Sequence, residues 1–158
     1  MDIKSGCGYP GSALSNFAPH PFVIDGIECA SMEGFLQSLK FKEPSMQIEV
    51  CKLVGRQAKF KGKKKKWFKD QTLYWQGVAY PRKSVEYQEL LDRAFIALSH
   101  NEGFKRALVA TRKSVLQHSI GKTNKASTIL TASEFCRRLN VIRCVFQEEE
   151  RHRLHDTR

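Results

Sequence analysis

The opening block decides what this chain cannot be. Between positions 5 and 30 stand Gly6, Gly8, Pro10, Gly11, Pro19 and Pro21. Glycine costs backbone entropy in a helix and proline removes a donor, so a long helix cannot begin the fold. Within the block, Phe22-Val23-Ile24 reads as a short strand. Asp25-Gly26 is a two-residue hairpin signal, and Ile27 to Ala30 reads as the returning strand. Ser31 then opens a helix as its cap. Met32, Phe35, Leu36 and Leu39 form one apolar stripe at helical spacing. Glu33, Gln37 and Lys40 are spaced i, i+4, i+7 and share another face of that helix.

Helices dominate the rest of the chain. One is expected from about Ser45 to Gly55, others over about 85–99 and 102–110, and a last one capped by Thr131 or Ser133 and running through Arg143. Leu73-Tyr74-Trp75 is an apolar segment ending at Gly77, and Val115-Leu116 reads as a short strand. Repeats and linkers are absent from the 158 residues, which suit one core. The class is α+β, a compact, mainly helical single domain. The expected division is a domain over residues 1–146 and a charged tail over 147–158, frayed or continuing the last helix.

Charge narrows the partners. Lys and Arg total 27 against 16 Asp and Glu, a net +11, which favours polyanions. No apolar run is long enough to span a membrane, and the start lacks a secretory signal, so no membrane partner and a cytoplasmic protein are expected. The five cysteines include no C-x-x-C pair, so no metal site is indicated.

Lys61, Lys63, Lys64, Lys65 and Lys66 lie in the densest positive stretch, with Phe60, Trp67 and Phe68 interleaved. They read as phosphate contacts beside rings able to stack on bases, or else as a solvated loop or a localisation signal. Glu33, one turn into its helix, is the carboxylate to single out, although a helix start favours an anion there for stability alone. Trp75 either stacks on a flat ring or belongs to the core. Gly121-Lys122 after His118-Ser119 has the character of a phosphate-contacting loop without the spacing of a P-loop.

Order and spacing carry more than any one of these. Leu14-Ser15-Asn16-Phe17, Pro21-Phe22, Asp25-Gly26 and then Ser31-Met32-Glu33-Gly34-Phe35-Leu36-Gln37-Ser38-Leu39-Lys40-Phe41 resemble the YbiA-like family, also called NADAR. Its opening pattern runs LSNF, P, DG and S-x-E-x-x-x-Q-x-x-K-F. Gly55-Arg56, Leu73 to Gly77, Arg82, Glu86 to Leu91, His118 to Lys122, and Thr128 to Thr131 with Glu134-Phe135-Cys136 resemble its phage-type branch. The likeness runs from about residue 6 to 145.

The resemblance implies a compact, mainly helical α+β fold and an N-glycosidase that hydrolyses a ribosyl C1–N bond. One branch is associated with phosphorylated intermediates of riboflavin synthesis, another with removal of ADP-ribose from modified guanine in nucleic acid. It implies neither metal nor other cofactor. The partner is then an ADP-ribosylated nucleobase or nucleic acid, or alternatively a small phosphorylated nucleotide. A non-enzymatic module that binds nucleic acid or ADP-ribose is the remaining alternative.

Glu33 matches the family glutamate and takes the catalytic role, because bond cleavage builds oxocarbenium-like charge that a carboxylate stabilises. By residue type, Ser15, Asn16, Gln37 and Lys40 would hold hydroxyls and phosphates, Trp75 would sandwich base or ribose, and Arg82 and Lys122 would bind phosphate. Phe17, His118 and Gly121 join them as substrate-binding candidates. Two departures stand out. Gly34 occupies a position where other members carry an aromatic residue or histidine. The late acidic Trp-Gly stretch of the better-known branch is replaced by His118 to Asn124, so a second catalytic carboxylate is missing and the riboflavin branch is disfavoured.

Overall fold

Asp25 and Gly26 both adopt positive φ, 51° and 76°, and close a hairpin of β1 (Phe22–Ile24) and β2 (Ile27–Cys29). Phe22 pairs with Cys29 and both turn inward, whereas Val23 and Glu28 turn out. The computed structural model describes residues 1–156. Ahead of the hairpin the glycine- and proline-rich block yields a single short helix, α1 (Gly11–Leu14).

Ser31 caps α2 (Met32–Ser38), its Oγ accepting from the Gly34 N–H at 3.0 Å and donating to the Leu53 carbonyl at 3.0 Å. The apolar stripe of α2 enters the core: Phe35 and Leu39 are fully buried, and Phe35 meets Trp75 edge-on at 5.0 Å. α3 (Pro44–Cys51) starts on a proline whose fixed φ suits the first helical turn. It ends against Gly34, where a Cβ would stand 2.5 Å from the Leu53 carbonyl oxygen. A side chain at position 34 would therefore collide with this backbone.

The basic stretch, for which the periodicity indicated no element, folds into α4 (Gly55–Lys63) and a 3-10 turn over Trp67–Lys69. Ala58 and Gly62, one turn apart, are its buried residues and let it lie close on α2. β3 (Thr72–Trp75) and β4 (Val78–Pro81) form a second hairpin through Gln76 and Gly77, both at positive φ.

α5 (Val85–Leu98) buries Tyr87, Leu90, Leu91, Ala94, Phe95 and Leu98 against the core, and α6 (Glu102–Ala110) is capped by Asn101. Val115-Leu116 is not a strand. Val115 is exposed, and the segment is held by one parallel bridge, Asp2 to Gln117, and by the N-terminal ammonium on the Val115 carbonyl. α7 (Ala132–Asp156) runs through the expected boundary at 146, and its side chains from Glu148 onward are exposed. Thr157 and Arg158 of the expected tail lie outside the described residues. The fold is α+β and mainly helical.

Candidate active site

Glu33 lies in the first turn of α2, and its N–H donates to the Asn16 carbonyl at 3.0 Å. That bond ties the helix start to the loop carrying Ser15, Asn16 and Phe17. One turn on, Gln37 Nε2 donates to Glu33 Oε1 at 2.9 Å. The expected i+7 member, Lys40, falls in the turn just past the end of α2, its N–H donating to the Gln37 carbonyl at 3.2 Å, and its side chain lines the same cavity. These residues form one wall of a cavity of about 500 Å³. Arg56 and Lys59 of α4, Trp67, the loop residues His118, Ile120, Gly121 and Lys122, the Ser127–Leu130 segment, and Ser5 and Leu36 line the rest of it.

The electrostatics of this cavity are lopsided. Among the described residues Glu33 is its one carboxylate, against Lys40, Arg56, Lys59 and Lys122. Burial pushes the Glu33 carboxyl above the usual range, more than the Gln37 hydrogen bond and the Lys59 and Lys40 ammoniums pull it down. Burial also lowers Lys40; Glu33 opposes that, while the like charges of Lys122 and Lys59 reinforce it. Four cations around one carboxylate give the cavity a positive potential, which attracts anions.

His118 donates from Nδ1 to the Ile3 carbonyl at 2.7 Å, so in the neutral ring Nε2 carries the free lone pair. Its ring stands edge-on to Phe135 at 5.2 Å. Gly121 is needed for the loop to close over it, since a Cβ there would stand 2.5 Å from His118 Cδ2. Lys59 lies over the Phe17 ring, 5.9 Å from its centroid.

Two residues assigned to substrate from their type are elsewhere. Arg82 is fully buried and forms a two-pronged ion pair with Glu134, at 2.6 and 3.1 Å. Its Nε donates to the Thr128 carbonyl at 2.8 Å, and the Tyr87 hydroxyl donates to the Ile129 carbonyl at 2.6 Å. Arg82 is therefore not a phosphate ligand but the anchor behind the Thr128–Leu130 wall. Trp75 is 2% exposed, donates from Nε1 to Asp25 Oδ2 at 2.8 Å and packs on Phe35. It belongs to the core, and the indole at the cavity is that of Trp67.

The structure brings Ser15, Asn16, Phe17, Glu33, Gln37, Lys40, His118, Gly121 and Lys122 to one cavity. Lys61, Lys63, Lys64, Lys65 and Lys66 do not line it and stand along and beyond the outer face of α4. The sequence reading missed Arg56, Lys59 and Trp67 as cavity residues. No hydrophobic period marks α4, whose buried face is only Ala58 and Gly62, so the sequence carried no usable signal for its cavity-facing side chains.

A second groove, about 550 Å³, runs between α5 and α7. Its one carboxylate, Asp92, is already paired with Arg138 at 3.0 Å, and its walls are largely the aliphatic side chains of Ile96, Val141 and Ile142. It offers no group poised for chemistry.

This architecture is a YbiA-like α+β fold. The NMR structure of the E. coli protein YbiA superposes on 95% of this chain and 86% of its own, with a TM-score of 0.61 at 18% identity. The family is set by sequence: the model of the bacteriophage protein GP30.3 family matches residues 8–144, and the chain belongs to that family. It is also 41% identical over 146 residues to the uncharacterized 17.1 kDa protein in the Gp30-rIII intergenic region of Enterobacteria phage T4, covering 90% of this chain and 96% of that one. No helix among the described residues is long and apolar enough to cross a membrane.

Proposed function

We propose that this protein is an N-glycosidase that hydrolyses a ribosyl C1–N bond, removing ADP-ribose from modified guanine in nucleic acid. The observation that carries the reading is Glu33, the lone carboxylate of a cavity that also holds four cations. The resemblance to NADAR proteins in the residues around Glu33 supports it.

These groups define the chemistry. As the bond to the base breaks, its electron pair leaves with the nitrogen and the ribose C1 gains oxocarbenium character. The Glu33 carboxylate faces that developing charge and stabilises it. It then takes a proton from the water whose oxygen bonds to C1. The departing nitrogen takes its proton from solvent water, and protonated Glu33 releases its proton back to solvent, so one water is consumed overall and the carboxylate is restored. Gln37 fixes the carboxylate through its amide, and Lys40, Arg56, Lys59 and Lys122 hold the diphosphate. Phe17 and Trp67 supply flat walls for base or ribose. The same four cations also suit a small phosphorylated nucleotide, the second reading.

Chromatography of products distinguishes these readings. The protein and its Glu33→Gln variant are incubated with guanine-ADP-ribosylated DNA and, separately, with a phosphorylated riboflavin-pathway nucleotide. Release of ADP-ribose that falls at least about a hundredfold in the variant is expected. Release of base from the nucleotide alone supports the second reading. Undiminished turnover by Glu33→Gln refutes the catalytic assignment, and ligand binding with no turnover by either protein leaves a binding module.

A further inference from the structure

We infer that the outer face of α4 is a track for a single nucleic-acid strand, with Phe60 and Phe68 stacking on bases next to the cavity. Arg56, Lys59, Phe60 and Lys63 are spaced i, i+3, i+4, i+7 and share one face of the helix. Arg56 and Lys59 line the cavity, so Phe60 and Lys63 prolong its cationic edge over roughly 10 Å of helix. Each exposed ring is the chain neighbour of a cavity residue: Phe60 comes directly after Lys59, and Phe68 directly after Trp67.

Charge selects the partner. From position 50 to 69 the chain carries no carboxylate, and among the described residues no ion pair engages Lys61, Lys63, Lys64, Lys65 or Lys66. Lys61 and Lys63 complement the C-terminal carbonyls of α4, and Lys65 lies over the Phe41 ring, 4.8 Å from its centroid, but neither arrangement accounts for Lys64 and Lys66. Nor does either explain two aromatic rings left in water, Phe60 at 64% and Phe68 at 52% exposure. Lys64 lies over the Phe60 ring, 5.6 Å from its centroid, so one face of that ring is already cationic. Cations interleaved with exposed rings are what a flexible strand needs, because phosphates meet the ammoniums while unstacked bases find a π-face. A duplex keeps its bases stacked and would leave both rings unused. The target base must also leave a stack to reach Glu33 inside the cavity.

The inference rests on the nucleic-acid substrate proposed above, and its test uses unmodified strands so that it holds or fails apart from turnover. Fluorescence anisotropy with the full chain compares a short labelled single strand of mixed sequence with the corresponding duplex, across a salt series. The single strand is expected to bind about tenfold or more tightly than the duplex. Phe60→Ala and Phe68→Ala are each expected to weaken the single strand by about 5- to 100-fold, with melting temperatures unchanged because both rings are exposed. Lys63→Gln combined with Lys64→Gln is expected to flatten the salt dependence by about 0.7 per lost phosphate contact. Equal binding of duplex, indifference to both phenylalanine variants, or absence of binding would each overturn the inference. If the strand is not bound while the Glu33-dependent release persists, the track is wrong and the glycosidase reading stands.

Discussion

Two glutamates occupy the first turns of two helices and end up with opposite characters. Glu33 of α2 faces the cavity; among the described residues its one side-chain donor is Gln37, and burial drives its carboxyl upward. Glu134 of α7 is buried as well, and burial alone would raise it too. It is nevertheless brought down to about 2, because Arg82, the Thr131 N–H and Gln88 all donate to it. With Thr131 Oγ1 accepting from the Glu134 N–H, the pair completes a capping box. The difference teaches that burial does not decide what a carboxylate does; the supply of donors does. Glu134 is fully satisfied and serves the fold. Glu33 has fewer donors and stands at the cavity, as the proposed catalytic role requires.

Removing the guanidinium gives the sharpest break in that contrast. Arg82→Ala would leave Glu134 buried without its counter-ion and release the Thr128 carbonyl. Urea unfolding is expected to show a loss of about 3–5 kcal/mol, with the cavity wall disordered and activity lost as a consequence. Replacing both partners by leucine is expected to recover most of that stability, because neither charge is then stranded.

Acid sharpens it next. The folded Glu134 binds its proton less tightly than the unfolded one, so its contribution is complete above the unfolded pKa and disappears as pH falls from the ordinary carboxylate range toward about 2. Roughly 3 kcal/mol should be lost across that window by chemical denaturation, and Glu134→Gln should flatten the curve. Glu33 has the reverse sign. Its raised folded pKa means that stability is lost as pH rises through that value, so its ionised form at neutral pH costs stability.

A smaller perturbation probes how Glu33 is held. A Cβ at Gly62 would stand 1.9 Å from Gln37 Oε1, a buried oxygen with no hydrogen-bond partner. Gly62→Ala should therefore cost about 1–3 kcal/mol by overpacking and push the Gln37 amide off Glu33. Without that donor the Glu33 pKa rises further, and the acid limb of kcat/KM should move to higher pH. A limb that stays in place while stability falls would show that Gln37 does not set the carboxylate.

The same contrast marks what the sequence made legible. The β1–β2 hairpin and α2 were readable because Asp25-Gly26, Ser31 and the stripe of Met32, Phe35, Leu36 and Leu39 are local signals. α4 was not, because a face made only of Ala58 and Gly62 carries no hydrophobic period. β4 escaped for a related reason: Val78 and Ala79 are exposed, so no alternation marks it. Glu33 and Gln37 share a face because helical spacing requires it, whereas Lys40 reaches the same cavity from the turn beyond the helix end. Arg82 was misassigned because its partner, Glu134, lies 52 positions away, and residue type alone does not distinguish a buried guanidinium from an exposed one. Trp75 had a usable signal, since β3 buries Leu73 and Trp75 in alternation while Thr72 and Tyr74 remain partly exposed.

The central claim is that Glu33 serves chemistry at a cost to the fold, whereas Glu134 serves the fold. Parallel urea unfolding of Glu33→Gln and Glu134→Gln at neutral pH, with ADP-ribose release assayed on the same preparations, tests it most directly. The account predicts a Glu33→Gln protein at least as stable as the parent and without turnover, beside a Glu134→Gln protein weakened by several kcal/mol. A Glu33→Gln protein that is destabilised as much as Glu134→Gln, or that still releases ADP-ribose, would contradict it.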